Sequence, residues 1–303
     1  MLDVVIFLTE RVEAWREAGS FEEFRGHQVF VASREGEEDG PLLLLLHGFP
    51  SSSYDFRTLI PLLGDGPVLA FDFLGFGLSE KPRKLDYSLF MQADLAEAMV
   101  ARRFPGRDVV IVAHDMGTSV ATELLARDID GSGTLRLRSA VLFNGSIVLE
   151  RASLTRGQRL LRSRIGPLAQ RLSSERFFRR EFAALFSDSH PLSDEEAADQ
   201  WSLIRHNGGQ RIGHELIAYL DERIAHADRW HGAIRDWPGA LSLAWGLRDP
   251  VATTAVLAAL RDLRPGIPVT ELEALGHYPQ IEAPALVAEA VRAAVAAGDD
   301  FGG

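Results

Sequence analysis

The chain has 303 residues, 46% of them hydrophobic and 25% charged, enough for one large domain with a sizeable core. Its net charge of -11 argues against nucleic acid as a partner, which calls for a clustered basic surface. With no cysteine, the chain has no disulfide frame, no thiol nucleophile and no cysteine-based metal site.

The first nineteen residues, MLDVVIFLTERVEAWREAG, carry Asp3, Glu10, Arg11 and Glu13 and lack a basic start. They read as an amphipathic helix rather than a signal peptide, so a cytoplasmic protein is expected. The run PLLLLLHG at 41–48 is too short to span a bilayer, and no transmembrane segment is expected. Short β-rich runs at 27–32, 41–46, 67–72, 108–113, 137–143, 241–245 and 268–272 alternate with helix-periodic stretches at 52–63, 88–103, 117–127, 253–263 and 285–296. That alternation predicts an α/β fold, a mostly parallel central sheet flanked by helices on both faces. It breaks once. From about 147 to 234 no strand signal occurs, and the composition turns to Arg, Leu, Phe and Trp with helical periodicity. A gap this long exceeds an ordinary crossover helix, so an inserted helical lid is predicted. The expected division is a core of 1–148 and 236–303 with a helical cap at 149–235. Within that cap, 151–180 holds nine arginines against Glu175 alone. This stretch reads as a solvated arginine-rich helical face, the other reading being a patch for membranes or anionic ligands.

In open α/β sheets the chemistry sits just past the carboxyl ends of the strands. The turn Ala113-His114-Asp115-Met116-Gly117 has the small-x-nucleophile-x-small form of a strand-to-helix elbow, with Gly117 relieving crowding. Asp249 follows the next-to-last strand, in WGLRDP, and His277 follows the last, in ALGHY. Nucleophile, acid, histidine is the chain order of α/β-hydrolases. The fourth part is His47-Gly48-Phe49-Pro50, whose loop presents the backbone N–H of Phe49 while the elbow adds that of Met116. Both would face one developing oxyanion.

A carboxylate at the elbow selects the electrophile. A serine attacking saturated carbon makes an ether that water cannot readily cleave, whereas a carboxylate makes an ester whose carbonyl carbon water can attack. With a reference pKa of about 3.9, aspartate needs no base for the first step. His277 is then free to deprotonate the hydrolytic water, with Asp249 holding its tautomer and stabilising the imidazolium. His114 reads as a hydrogen-bonded structural residue, Asp72 as a loop cap, and Gly75 and Gly77 as turn glycines. Trp201, Trp230 and Trp237, with the phenylalanines of the lid, either line an apolar pocket or form lid core. No His or carboxylate cluster has metal-ligand spacing, and neither metal nor cofactor is expected.

The stretches HDMG, HGFPSSSYDF, DFLGFGLSEKP and GHYPQIEAP resemble the Asp-nucleophile branch of the α/β-hydrolases, which holds epoxide hydrolases and haloalkane dehalogenases. Over nearly the whole chain, DFLGFG, RHNGGQ followed by AYLDER, and HYPQIE resemble mesoderm-specific transcript proteins, which are close to epoxide hydrolases. The dehalogenase likeness implies a halide held by a Trp directly after the nucleophile. Here Met116 stands there and Phe49 follows the His-Gly pair, and neither side chain donates a hydrogen bond. The epoxide hydrolase likeness implies two lid tyrosines as acids. Tyr219 matches the second, while RFFRREFAALF offers only Phe177, Phe178 and Phe182 near the first, leaving His206 or His214 as helpers. Three readings follow: an epoxide hydrolase acting on a small apolar substrate with water, a haloalkane dehalogenase with an unusual halide site, and a ligand-binding protein that keeps the hydrolase shell without turnover. Nothing in the sequence sets an oligomeric state.

Overall fold

The computed structural model describes residues 7–36, 40–171 and 173–301. Its strands are β1 (Ser20–Phe24), β2 (His27–Arg34), β3 (Leu42–Leu46), β4 (Val68–Phe71), β5 (Asp108–His114), β6 (Arg136–Phe143), β7 (Ala240–Gly246) and β8 (Val269–Leu272). Among the described residues they form one sheet in the order β1-β2-β4-β3-β5-β6-β7-β8, with β2 antiparallel to both its neighbours and every other pairing parallel. The five leucines of β3 are all buried, as a parallel strand covered on both faces requires. Because side chains alternate, Leu44, Leu46 and Ile111 enter the core on one face, while Leu43, Leu45, Val110 and Val112 enter the other.

The helices are α1 (Glu10–Ala18), α2 (Leu89–Arg103), α3 (Met116–Asp130), α4 (Arg156–Arg162), α5 (Gly166–Arg171), α6 (Glu175–Ala183), α7 (Asp194–Arg205), α8 (Gly213–Leu216), α9 (Tyr219–Ala225), α10 (Ala227–Asp236), α11 (Thr254–Leu263), α12 (Pro279–Glu282) and α13 (Pro284–Phe301). Helices α2 and α3 cover the first face, with Met99 and Leu125 in its core, and α13 covers the other with Val287 and Val291. Between β6 and β7 the described residues hold helices and no strand. This segment is tied to the sheet layer by specific bonds. Arg229 and the Trp230 indole on α10 reach Glu123 on α3 at 2.8 and 3.0 Å. From the loop after β4, the Lys81 amine donates to the carbonyls of Leu203 and His206 at 3.1 and 2.9 Å, capping α7.

Two expectations need correction. Strand β1 is absent from the sequence reading because SFEEF puts Glu22 and Glu23 on a short edge strand, and its hairpin turn, Arg25-Gly26, reaches positive φ (51° and 81°) with an arginine where Asn or Asp would signal it. The stretch 52–63 is not a helix. It forms two short 3-10 turns, Ser53–Phe56 and Ile60–Leu62, because Pro61 removes a donor that a continuous helix needs. Of the N-terminal helix, residues 10–18 are α1, whereas Asp3 and its neighbours lie outside the described residues.

Leu44 is fully buried in the central strand, so Leu44→Ala should cost about 3 kcal/mol. Urea unfolding would register this as a lower midpoint with an unchanged slope.

Candidate active site

The end of β5 sets the site. Asp115 joins β5 to α3 with φ 44° and ψ −111°, a conformation that costs a non-glycine residue roughly 1–3 kcal/mol. Its surroundings hold it there. The Asp115 carbonyl accepts from the Thr118 N–H and hydroxyl at 3.1 and 2.6 Å, and from Arg223 Nη2 at 3.2 Å. Two glycines make room: a Cβ on Gly117 would lie 2.3 Å from the Leu46 carbonyl oxygen, and one on Gly48 would lie 2.7 Å from the Asp115 Cβ.

The carboxylate is 1% exposed, and its two oxygens have different surroundings. Oδ2 accepts the Phe49 N–H at 2.9 Å, while Oδ1 stands 4.0 Å from His277 Nε2. The Phe49 loop is fixed by His47, whose Nε2 accepts from the Phe73 N–H at 2.9 Å and whose Nδ1 meets the Gly48 carbonyl at 2.8 Å. Burial drives the His47 pKa down to about 3, so the ring stays neutral, with its Nδ1 proton assigned by this pattern.

His277 Nδ1 lies 2.7 Å from Asp249 Oδ2, which leaves Nε2 turned to Asp115. Asp249 also accepts from Asn144 Nδ2 at 2.7 Å and from the N–H groups of Val251 and Ala252 at 2.7 and 3.0 Å. Burial alone would raise its pKa, but the charge and hydrogen bond of His277, with those donors, hold it below the ordinary value. For His277, burial lowers the pKa, yet the charge and hydrogen bond of Asp249 and the charge of Asp115 outweigh it, and the net shift is upward. The His277 carbonyl accepts from His114 Nε2 at 2.7 Å, and its N–H donates to the Leu185 carbonyl at 2.8 Å. His114 is thus structural, its pKa lowered to about 4 by burial and the neighbouring imidazole.

Tyr219 opens α9 and is 1% exposed. Its ring lies 5.7 Å from that of Phe49 and 4.7 Å from the Arg223 guanidinium. The hydroxyl has no hydrogen-bond partner among the described residues; Gln158 acts on it without completing bond geometry. Burial, then the charge of Asp115, pushes its pKa up.

Beyond these residues a cavity of about 420 Å³ extends between the sheet and the helical segment. Phe49 and His277 line it at the sheet end, and Leu160, Phe177, Phe178, Phe182 and Trp201 line it from the helices. Asp115, Met116 and Tyr219 are not on its wall; Asp115 contacts the wall residues Phe49 and His277. Trp230 and Trp237 are core, donating to Glu123 and Asp128, and neither His206 nor His214 lines the cavity. Asp72 caps its loop, accepting from Ser53 and Leu78, and Gly75 and Gly77 take positive φ.

Three residues escaped the sequence reading. Asn144, at φ 48°, bonds both Asp249 and Gly246. Arg223 is 1% exposed with no ion pair among the described residues, its Nε donating to Ser119 at 2.8 Å. Tyr278 is fully buried between His277 and Phe182, its hydroxyl also without a hydrogen-bond partner among the described residues. The Asn-Gly pair after β6 marks Asn144 as a turn residue in the sequence, but nothing there announces its contact with Asp249.

The sequence pattern of the alpha/beta hydrolase family matches residues 43–290. The chain belongs to that family. This α/β hydrolase is 57% identical to LipZ of Mycobacterium tuberculosis over 92% of its own length and 96% of that protein's. It is 34% identical to the human mesoderm-specific transcript homolog protein, over 91% of this chain and 85% of the other. The crystal structure of haloalkane dehalogenase DbeA from Bradyrhizobium elkani superposes with a TM-score of 0.78 at 23% identity, covering 93% of this hydrolase and 99% of that chain, a likeness of fold.

Two outcomes follow. Asn144→Ala should destabilise the protein by about 2 kcal/mol, because Asp249 loses a buried donor, measurable as a lower urea midpoint. Since the folded pKa of His277 lies above 6.5, its contribution to stability is fully present below about pH 6.5 and is lost as pH rises through the folded pKa. Melting temperatures of the native protein and His277→Gln, compared from pH 5 to pH 9, should therefore converge toward the alkaline end.

Proposed function

We propose that this α/β hydrolase opens an apolar epoxide to a diol through a covalent ester on Asp115. The carrying observation is the division of labour in the buried carboxylate. Oδ2 is held by the Phe49 amide, and Oδ1 stands 4.0 Å from His277 Nε2, a separation that one water can bridge. In the first step Asp115 Oδ1 attacks an epoxide carbon, the carbon–oxygen bond breaks, and the departing alkoxide takes the Tyr219 proton. A buried hydroxyl without a partner suits that task, because it has a donor to give and no competing acceptor.

In the second step His277 Nε2 takes a proton from water, and the resulting hydroxide adds to the ester carbonyl carbon. The N–H groups of Phe49 and Met116 hold the oxyanion. Asp249 stabilises the imidazolium, and collapse of the adduct returns Asp115 and frees the diol, while the proton on His277 restores Tyr219 through solvent. Helices within 149–235 act as the cap, and a substrate enters the cavity they form and passes Phe49 to reach the carboxylate. A halide would need hydrogen-bond donors beside Asp115, and the Met116 and Phe49 side chains supply none.

One turnover in heavy-oxygen water should place the label in Asp115 before any appears in the diol; label in the diol alone defeats the ester route. With His277→Gln, intact-protein mass spectrometry should find the accumulated ester. Tyr219→Phe should lower kcat/KM on epoxides roughly 100-fold or more. Halide release from a bromoalkane panel would turn the reading to dehalogenation.

A further inference from the structure

The arginine-rich stretch takes no part in the chemistry above. From Arg151 to Ser174 the chain contains six arginines and no Asp or Glu, within a protein of net charge -11. Arg162 is paired with Asp221, but Arg156, Arg159 and Arg164 are exposed and have no ion pair among the described residues. Beside them stand the largest apolar exposures among the described residues of the helical segment: Ile165 is 60% exposed and Leu168, one turn on, 61%.

The two sets share one surface. Arg156, Arg159, Leu160, Ser163, Arg164 and Ile165 surround a single outer hollow, at the junction of α4 and α5. Leu160 lines that hollow and also the 420 Å³ cavity, so one residue borders both. Exposed branched apolar residues gain from leaving water only where something covers them, and unpaired guanidiniums gain charge-assisted hydrogen bonds only beside negative charge. Arginines beside a projecting Ile and Leu meet both conditions at an anionic bilayer, where the aliphatic tips enter the acyl boundary and the guanidiniums stay among phosphates.

We propose that the α4–α5 face docks on anionic lipid membranes, with Ile165 and Leu168 inserted and Arg156, Arg159 and Arg164 at the headgroups. The docked face places Leu160, which borders the cavity, against the bilayer, on the side from which an apolar solute would arrive. The docking does not depend on the epoxide chemistry, and its test uses no substrate.

The full chain is sedimented with vesicles of phosphatidylcholine alone and of phosphatidylcholine containing about one third phosphatidylglycerol. Binding should require the anionic lipid and fall with added salt, since the attraction acts within a Debye length. Arg156→Gln with Arg159→Gln and Arg164→Gln should weaken it roughly tenfold or more, and Ile165→Asp with Leu168→Asp should remove it. Arg261→Gln, on α11 and away from this face, should bind as the native protein does. All these positions are exposed, and circular dichroism melts establish that each variant is folded. The proposal is overturned by absence of native binding at low salt, by binding that the triple arginine variant retains, or by equal loss in Arg261→Gln. It is also overturned if sedimentation without vesicles finds a dimer that Ile165→Asp abolishes, which assigns the face to a second copy of the chain.

Discussion

A negative charge buried at the sharpest turn of the fold is the constraint around which this hydrolase is arranged. A carboxylate removed from water needs donors, and a non-glycine residue in the left-handed region needs a frame that leaves it no alternative. Both demands fall on Asp115. The Phe49 amide supplies a donor to Oδ2, and Thr118 and Arg223 clamp the backbone carbonyl. The leucine strand β3 ends directly beneath, where Gly117 must approach the Leu46 carbonyl more closely than any side chain permits.

The same economy governs the neighbours. Asp249 and His277 are both buried, and the charge of Asp249 supports a proton on His277 while His277 in turn holds Asp249 ionised. Asn144 and two backbone amides complete the coordination of Asp249, and His114 holds the far side of His277 through its carbonyl. His47 and His114, both kept neutral by burial, act as two-ended hydrogen-bond spacers. Imidazole is used three times here, and only His277 has its charge supported.

Much of this was legible in the sequence because it follows from short-range rules. The apolar run of β3, the β-branched run of β5 and the small residues around Asp115 report burial, parallel pairing and a tight turn without tertiary knowledge. The order of Asp115, Asp249 and His277 could be read because each follows a strand. What could not be read depends on distance in space. β1 is acidic and held by its partner strand. Asn144, Arg223 and Tyr278 matter through contacts with residues far along the chain, and a lone Asn, Arg or Tyr carries no spacing to announce that. The cavity, likewise, exists only once the phenylalanines of α6 face Phe49.

The amide of His277 is bonded to the carbonyl of Leu185, just past α6. Phe182 and Leu185 in this stretch also form part of the cavity wall, so wall and imidazole share one piece of backbone. A change in how Phe182 packs is therefore felt at His277 through a single amide bond, and the shape of the cavity and the bracing of the ring cannot vary independently.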